Sequence, residues 1–301
     1  MDNPSEINAL VQLIDDPDEL IFNQVKDKIM NMGSTVIPHL EKAWAKEQLG
    51  DLFQSRLENI IHDIHIKDVF KKLANWIIEP QNLLAGVLIV NGYKYPNINL
   101  SAIEELIQQI TNDIKSQFKP NFTILEKIQV INKIIFEVYG FKGDKTNYHA
   151  PENSYFNVVL AKKKGNPLML SILYIEIAQR LKIPISGINL PNHFLVGLKD
   201  KGYEKNDLLF DRDSHGILFY INPFSKGAIL YHDEIDDFLF ELKLKQLPKY
   251  YSSCSNIEII RRILTNLIYS YTKLKKDVKV KERTIRSRSK PRYRWLRWLS
   301  W

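Results

Sequence analysis

The chain has 301 residues, 45% of them hydrophobic, and a formal net charge of +7. This is enough to bury a core in one large or two modest domains. Its single cysteine excludes an internal disulfide, and its longest apolar run, LLAGVLIV at residues 83–90, is far shorter than the roughly 18 residues of a membrane-spanning helix. The N-terminal MDNPSEIN lacks the pattern of a secretory signal, so we expect a cytoplasmic protein in a reducing compartment.

Residues 1–76 are predicted to be wholly helical, because apolar residues such as Ile7, Leu10 and Val11 recur at a spacing of three to four. Polar links separate short helices whose apolar faces would pack together, an arrangement that resembles HEAT-like repeat units. His62 and His65 lie three residues apart on one of these helices. No third ligand of matching spacing follows them, so we predict a solvated helix face and no metal site.

Residues 79–140 continue the helical pattern, with helices expected around residues 83–90, 101–118 and 123–139. Ser101 is followed three residues later by Glu104, which predicts a capping box at the start of the second of these helices.

A further helix is predicted over residues 167–181, with Asn166 as its N-cap and Pro167 as its first residue. A helix N-terminus stabilises a thiolate, so this is where a reactive cysteine would be expected. Proline has no side chain that can attack a substrate. The pattern therefore indicates a catalytic scaffold without its nucleophile, in a core helix whose solvent side pairs Glu176 with Arg180.

From residue 185 the hydrophobic period changes to two. The segments ISGINL, HFLVGL, DLLFDR and ILFYINPF are short apolar runs separated by turn residues, which predicts an antiparallel meander. Helices are expected again over residues 234–244 and 256–276. A core helix packed on such a meander is an α+β fold, with the start of the helix close to the strand that opens with His193.

Five motifs between residues 83 and 241 occur in the order of a known family: GFKGD, PENS, KKGNP, LPNHFLV and YINPFSKG. The segment closely resembles the transglutaminase-like core of the bacterial SirB-type family, and this resemblance implies a transglutaminase or papain-like α+β fold. The segment that begins at residue 256, NIEIIRRILTNLIYSYTKLKK, resembles the first helices of a tetratricopeptide segment.

The resemblance also implies positions for a catalytic triad. In that superfamily a cysteine begins the central helix, a histidine lies on the following strand and an aspartate or asparagine lies on the next one. Carried over to this chain, these positions are Pro167, His193 and Asn222. Relatives in the family also have proline at the cysteine position, so the resemblance implies a degenerate site.

Each candidate residue has a plainer interpretation. His193 could act as a base if a nucleophile and an orienting partner such as Asn222 were close, or it could hydrogen-bond within the sheet. Ser171 is one helical turn beyond Pro167, too far for an unchanged triad, and it is interpreted as a small packing residue. Cys254 is interpreted as a buried, inert thiol. No role is assigned to His149, His215 or His232.

Asn153 and Ser154 of the PENS motif could cap a helix beginning at Tyr155. The sharper hypothesis is a binding groove lined by five polar residues: Asn153, Ser154, Asn166, His193 and Asn222. Residues 162–164 are three lysines, which form either a solvated turn or a basic patch that attracts an acidic partner to this groove.

The basic residues are concentrated at the C-terminus, since 33 of the 42 basic and 34 of the 35 acidic residues precede residue 279. Residues 1–278 therefore carry a charge of only −1. Residues 279–301 interleave basic residues with three of the five tryptophans. We expect a disordered tail, with contact to nucleic acid or an anionic membrane as the alternative.

Four regions follow from these patterns: HEAT-like helices over residues 1–76, a transglutaminase-like core over 79–250, a tetratricopeptide-like segment over 251–278 and the tail over 279–301. No nucleotide, zinc-protease or redox motif is present, and no cofactor or metal is expected. The predicted function is a non-catalytic scaffold that binds a protein partner. The alternative is a cytoplasmic hydrolase or acyl-transfer enzyme using His193 with an unconventional nucleophile.

Overall fold

A computed structural model describes residues 4–45, 50–79, 81–200 and 215–284 of the chain, with side chains through residue 274. The chain divides into two compact units: Met1–Pro80 with Ile89–Asn97, and Gln81–Leu88 with Ile98–Trp301. The predicted regions 79–250 and 251–278 thus fall largely within the second unit. No helix among these residues combines the length and apolar character needed to cross a membrane.

The first unit is helical, as the spacing of its apolar residues predicts. Its helices are α1 (Pro4–Gln12), α2 (Glu19–Met32), α3 (Ile37–Trp44) and α4 (Asp51–Ile78). Their apolar faces, with Ile14 of the 3-10 turn at Leu13–Asp15, form one core that includes Ile29, Leu40 and Leu57, each fully buried. Asp18 accepts a hydrogen bond from the Leu20 amide and so caps α2 within the predicted polar link.

The second unit contains a helical layer ahead of its sheet. Helix α5 (Leu83–Asn91) begins in this unit, and its last three residues belong to the first. It is followed by α6 (Leu100–Gln117) and α7 (Ile124–Asn132), and α7 continues as a π-helical turn at Lys133–Val138. The predicted capping box at Ser101 is wrong, because α6 begins one residue earlier and Asn99 accepts the hydrogen bond of the Ala102 amide. The capping box among these helices is formed instead by Thr123 and Glu126 at the start of α7.

The predicted meander is a four-stranded antiparallel sheet in the order β3 (Ile185–Ile188), β4 (Leu195–Lys199), β5 (Ile217–Asn222) and β6 (Ala228–Leu230). Three of the four predicted segments correspond to β3, β4 and β5, whereas DLLFDR lies outside the described residues. A separate parallel pair joins β1 (Lys142–Gly143) to β2 (Lys164–Gly165). The α+β prediction is confirmed.

Helix α9 (Pro167–Arg180) is the centre of this unit and packs against β3 and β4. It is buried on all sides from Pro167 to Ala178. The predicted solvent face is therefore wrong: Glu176 is 6% exposed, and burial raises the pKa of its carboxyl group. Arg180 forms an ion pair with Glu104 of α6, at 2.6 Å between Nη2 and Oε2.

The remaining helices of the second unit are α8 (Phe156–Lys162), α10 (His232–Glu241) and α11 (Asn256–Thr284). Side chains of α10 pack on the sheet with Tyr251, and the Tyr220 hydroxyl donates a hydrogen bond to the Tyr251 carbonyl. Helix α11 ends at Thr284 and therefore includes residues 279–284 of the predicted tail. Residues 285–301 lie outside the described part of the chain.

Candidate functional site

The GFKGD and KKGNP motifs meet where β1 pairs with β2, in the register Lys142 with Lys164 and Gly143 with Gly165. Gly143 faces the Phe224 ring so closely that a Cβ there would lie 2.5 Å from the ring. Any larger residue would force Phe224 to move. The glycine therefore allows Phe224, from the YINPFSKG motif, to pack against β1, the strand that pairs with the β2 segment preceding α9.

Asn153 and Ser154 of the PENS motif lie in a buried 3-10 turn at Pro151–Ser154. The helix-cap interpretation is wrong, because α8 begins at Phe156 and no side chain caps it. Asn153 Nδ2 instead donates to Asp144 Oδ2 at 3.3 Å and to the Asn147 carbonyl at 2.7 Å. These bonds hold the turn against the loop that follows the GFKGD motif.

Asn166 joins the PENS turn to the start of α9. Its Oδ1 accepts from the Met169 amide at 2.9 Å, which is the predicted N-cap, and its Nδ2 donates to Ser154 Oγ at 2.9 Å. Asn166 and Ser154 are 5% and 1% exposed. Pro167 is the first residue of the helix, as predicted. Both hydrogen-bonding ends of the Asn166 amide are thus used to fix the position of Pro167.

His193 and Asn222 come together because their strands are antiparallel. Val196 pairs with Ile221, so the start of β4 lies beside the end of β5. His193 precedes β4 by two residues, and its ring hydrogen-bonds to the Asn222 side chain at the end of β5. Asn222 Oδ1 also accepts from the Phe224 and Ser225 amides, which holds its side chain in place.

Burial lowers the pKa of His193 below its ordinary value, and the positive charge of Arg262 lowers it further. The hydrogen bond with Asn222 acts in the opposite direction. The imidazole is therefore neutral at pH 7 and has the acid–base state of a general base, with Asn222 as its orienting partner.

A cavity of about 560 Å³ opens beside Pro167 and His193. It also contacts Ser154 and Asn166, so the structure brings four of the predicted site residues to one space. Asn153 and Asn222 do not line it, but the Asn153 carbonyl accepts from the Asn166 amide and the Asn222 side chain hydrogen-bonds to His193. Residues 162–164 are exposed on the surface of the unit and are not among the lining residues.

One wall of the cavity is a face of α11 that the sequence analysis missed. Its residues recur at helical spacing: Arg262, Thr265, Asn266, Tyr269 and Ser270. Tyr148 and His149 form part of the rim, with a distance of 5.1 Å between the His149 and Tyr269 ring centroids. The polar stripe on α11 is visible in the sequence, but only the fold shows that it faces His193.

Arg262 ties α11 to the turn before β4. Its Nη1 donates to Asn189 Oδ1 at 2.9 Å and to the Leu190 carbonyl at 3.1 Å, and its Nη2 donates to the His193 carbonyl at 3.4 Å. The guanidinium is partly buried, and burial lowers its pKa, although it remains charged at pH 7. All three acceptors are uncharged.

In the part of the chain that the structure describes, no candidate nucleophile forms a hydrogen bond with the His193 ring. Ser171 is fully buried, and its Oγ donates to the Phe194 carbonyl at 3.4 Å. Burial raises the pKa of the Cys254 thiol to about 12, so it is protonated at neutral pH. In the cavity, Ser154 Oγ accepts a hydrogen bond from Asn166 Nδ2, and the Thr265 hydroxyl donates to the Arg261 carbonyl.

His62 and His65 do not form a metal site with a third described ligand. His62 packs against the Tyr93 ring, and burial lowers the pKa of His65. In the described part of the chain, His232, Asp233 and Asp236 form the group whose ligand atoms lie close enough together, within 4.8 Å, to hold a metal ion.

The one histidine of this group, His232, already packs against neighbouring rings. His232 stacks on Tyr251 and His215, and the Tyr251 hydroxyl donates to the Asp236 carboxylate. The sequence pattern assigned no role to His215 or His232.

Comparisons with known proteins identify relatives of the segment that contains α9 and the sheet. The family model of the transglutaminase-like superfamily matches residues 101–265, which is 165 of the 301 residues. A UPF0162 protein of Xylella fastidiosa (strain Temecula1) is 31% identical over 130 residues, 43% of this chain and 46% of that protein. A UPF0162 protein of Vibrio cholerae is 27% identical over 192 residues, 63% of this chain and 66% of that protein.

Human F-box only protein 21 is 27% identical over 183 residues, 60% of this chain and 26% of that protein. The chain therefore spans less than half of the Xylella protein and about a quarter of the human one. No solved structure is significantly similar to the chain.

Proposed function

This chain belongs to the transglutaminase-like superfamily, and from that membership we propose that it is a non-catalytic scaffold that binds a segment of a partner protein in the cavity beside Pro167. The observation that carries the proposal is the residue at the start of α9. The superfamily's cysteine position, carried over by resemblance, falls on Pro167, which has no group that can attack.

The surroundings of Pro167 support a retained binding cleft. The cavity is open, and several of its polar residues are held in place by hydrogen bonds to their neighbours. A volume of about 560 Å³ lies within the range of ligand pockets and accommodates a few residues of a peptide. A fixed cleft binds a flexible segment at a lower entropic cost than a mobile one.

Finer assignments belong to the same proposal. The five motifs support membership of the SirB-type branch and the description of the chain as a pseudoenzyme. We assign a HEAT-like role to the N-terminal helices and a tetratricopeptide-like role to α11, both of which would present helical surfaces to partners. A cytoplasmic location is proposed from the single cysteine, which cannot form an internal disulfide.

The basic tail is a second proposed contact. Its alternating arginines and tryptophans would bind nucleic acid or an anionic membrane in a salt-sensitive manner. A chain ending at Thr284 keeps α11 and should lose that binding, measured on vesicles containing phosphatidylserine and on single-stranded DNA. Unchanged binding by the shortened chain would rule the contact out.

The binding proposal is tested with peptides. A random synthetic heptapeptide library with free C-termini is passed over the immobilised full chain, and the retained peptides are identified by mass spectrometry, resynthesised and titrated by fluorescence anisotropy. Thr265→Trp fills the cavity from an exposed position of α11 and should weaken binding by about tenfold or more. Arg261→Trp places the same ring on α11 outside the lining residues and should leave the affinity unchanged.

Selected peptides that ignore Thr265→Trp, or a library that yields no binders, would overturn the proposal.

The enzyme alternative has one observation in its favour, the neutral His193 hydrogen-bonded to Asn222. Serine-directed and thiol-directed activity probes test it. The scaffold proposal expects no labelling that depends on His193, measured by comparing the wild type with His193→Ala. Labelling of the wild type that disappears in His193→Ala would favour the enzyme.

Pro167→Cys sharpens this comparison. A thiol at the N-terminus of α9 should have a lowered pKa, whereas burial raises the pKa of Cys254 to about 12. We expect iodoacetamide to label residue 167 at least about a hundredfold faster than Cys254 at pH 7.5. Equal rates would show that the start of the helix does not activate a thiol.

A further inference from the structure

We propose that the cavity recognises a carboxylate group of its peptide ligand and that Arg262 is the residue that binds it. This inference names the ligand chemistry of the site and rests on the peptide-binding function proposed above. The carboxylate can come from the C-terminus of the bound chain or from an aspartate or glutamate side chain, and the experiment below distinguishes the two sources.

The first argument is the unbalanced charge of Arg262. A partly buried charge is costly unless an opposite charge compensates for it. Arg262 donates to one amide oxygen and two carbonyls, and no carboxylate of the described residues forms a salt bridge with it. A guanidinium has five N–H groups, so these three bonds leave two that no described residue accepts from.

The second argument is the charge of the cavity as a whole. None of the described residues that line it is acidic. The groups that face Arg262 electrostatically are Tyr148 and Cys254, which are uncharged at pH 7 at their ordinary pKa values, and burial raises both pKa values further. On the rim, the charge of Lys273 adds to burial in lowering the pKa of His149. The described surroundings therefore favour an anion.

The third argument concerns which anion fits. Phosphate groups are generally recognised by clusters of arginines, whereas one guanidinium matches the single charge of a carboxylate. The rest of the space suits a peptide, because Tyr148, His149 and Tyr269 place aromatic rings at the rim. These rings can pack against the side chains next to the carboxylate.

Three N-acetylated heptapeptide libraries test the inference on the full chain. The first lacks aspartate and glutamate and ends in a free carboxylate. The second has the same residues but an amidated C-terminus, and the third is amidated with one aspartate or glutamate. Retained peptides are identified by mass spectrometry after affinity selection.

We expect the first or the third library to be retained at least about tenfold better than the second, and the better of the two identifies the source of the carboxylate. Equal retention of the second library, lost in Thr265→Trp, would overturn the carboxylate while leaving peptide binding intact. If none of the three libraries is retained, the peptide-binding function and the carboxylate inference both fail.

Matched variants test whether Arg262 is the residue that binds the carboxylate. Arg262→Gln should lower the affinity for the retained peptides by about tenfold or more, whereas Arg261→Gln, the same change at the exposed neighbouring arginine, should not. Equal affinities of the two variants would remove Arg262 from the site.

A second pair of variants keeps Arg262 in place, so its result does not depend on whether Arg262→Gln folds. Thr265→Glu adds a carboxylate at an exposed position of the cavity wall and should compete with the ligand, whereas Thr265→Gln has the same size without the charge. We expect Thr265→Glu to bind the retained peptides at least about fivefold more weakly than Thr265→Gln, with the difference reduced in 1 M salt. Equal binding would contradict the inference.

Discussion

Two partly or fully buried arginines in the two units have opposite surroundings. In the first unit, Arg56 is 7% exposed, donates to the carbonyls of Ile14 and Asp16, and pairs with the Glu19 carboxylate at 2.6 Å. In the second unit, Arg262 also donates to backbone carbonyls, but the charged partner is missing among the described residues. The charge of Arg56 is compensated by a carboxylate of the same chain, whereas the charge of Arg262 is available to bind the carboxylate of a ligand.

Stability should depend most on Arg56. Arg56→Met removes two hydrogen bonds to backbone carbonyls and the packing of the guanidinium over the Phe22 ring, 4.0 Å from its centroid. Because the Ile14 carbonyl is left buried without a donor, we expect the free energy of unfolding to fall by about 3 kcal/mol. Urea denaturation followed by circular dichroism measures it, and a loss below about 1 kcal/mol would contradict the assigned role.

The second largest loss of stability is expected at Asn166, which holds one wall of the cavity in place. Asn166→Ala removes the N-cap of α9 and leaves Ser154 without its donor, so we expect a loss of about 1–2 kcal/mol. Thr265→Ala, at an exposed cavity residue within α11, should change stability by less than about 0.5 kcal/mol. Similar losses in the two variants would mean that the Asn166 amide does not hold the wall.

Arg262→Gln should cost less than Arg56→Met. The substitution loses hydrogen bonds to three uncharged acceptors, but it also removes a charge whose burial is not compensated. We expect a loss of about 1 kcal/mol or less in the same urea experiment. A loss equal to that of Arg56→Met would indicate that both arginines are purely structural and would weaken the comparison between them.

The smallest effect is on the titration of His193. Burial and the charge of Arg262 lower the pKa of His193 in the folded chain, so the folded state binds fewer protons than the unfolded state near its ordinary pKa of 6.5. The contribution of His193 to stability is therefore complete above pH 6.5 and falls as the pH drops through the folded pKa.

Removing the neighbouring charge should shift this titration. Arg262→Gln should raise the pKa of His193, followed by the imidazole proton resonances in NMR, whereas Arg261→Gln should leave it unchanged. If the pKa of His193 is the same in the two variants, the charge of Arg262 does not act on the His193 ring.

Local chemistry made much of the core predictable. Short apolar runs bounded by turn residues predicted β3, β4 and β5, although β4 is buried at every residue from Leu195 to Leu198 and shows no alternation. Asn166 and Pro167 predicted the start of α9, because a cap depends on residues within one turn. Glu176 was misplaced, because helical spacing does not reveal a second layer that buries the opposite face.

The site was predictable only in part. The motifs led to Pro167, His193, Asn222 and the polar residues around them, but not to Arg262, Tyr269 or His149. These three residues belong to no motif, and His149 and Arg262 are separated by more than a hundred positions in the sequence.

The amino-acid sequence by itself determined the fold class, the cap and the proline at the start of the central helix, since each depends on residues that are neighbours in the chain. Only the tertiary structure decided that a face of α11 completes the cavity and that Arg262 lies beside His193 with no carboxylate partner among the described residues. Charge balance in a cavity depends on residues distant in sequence, and it becomes visible only when the fold brings their side chains together.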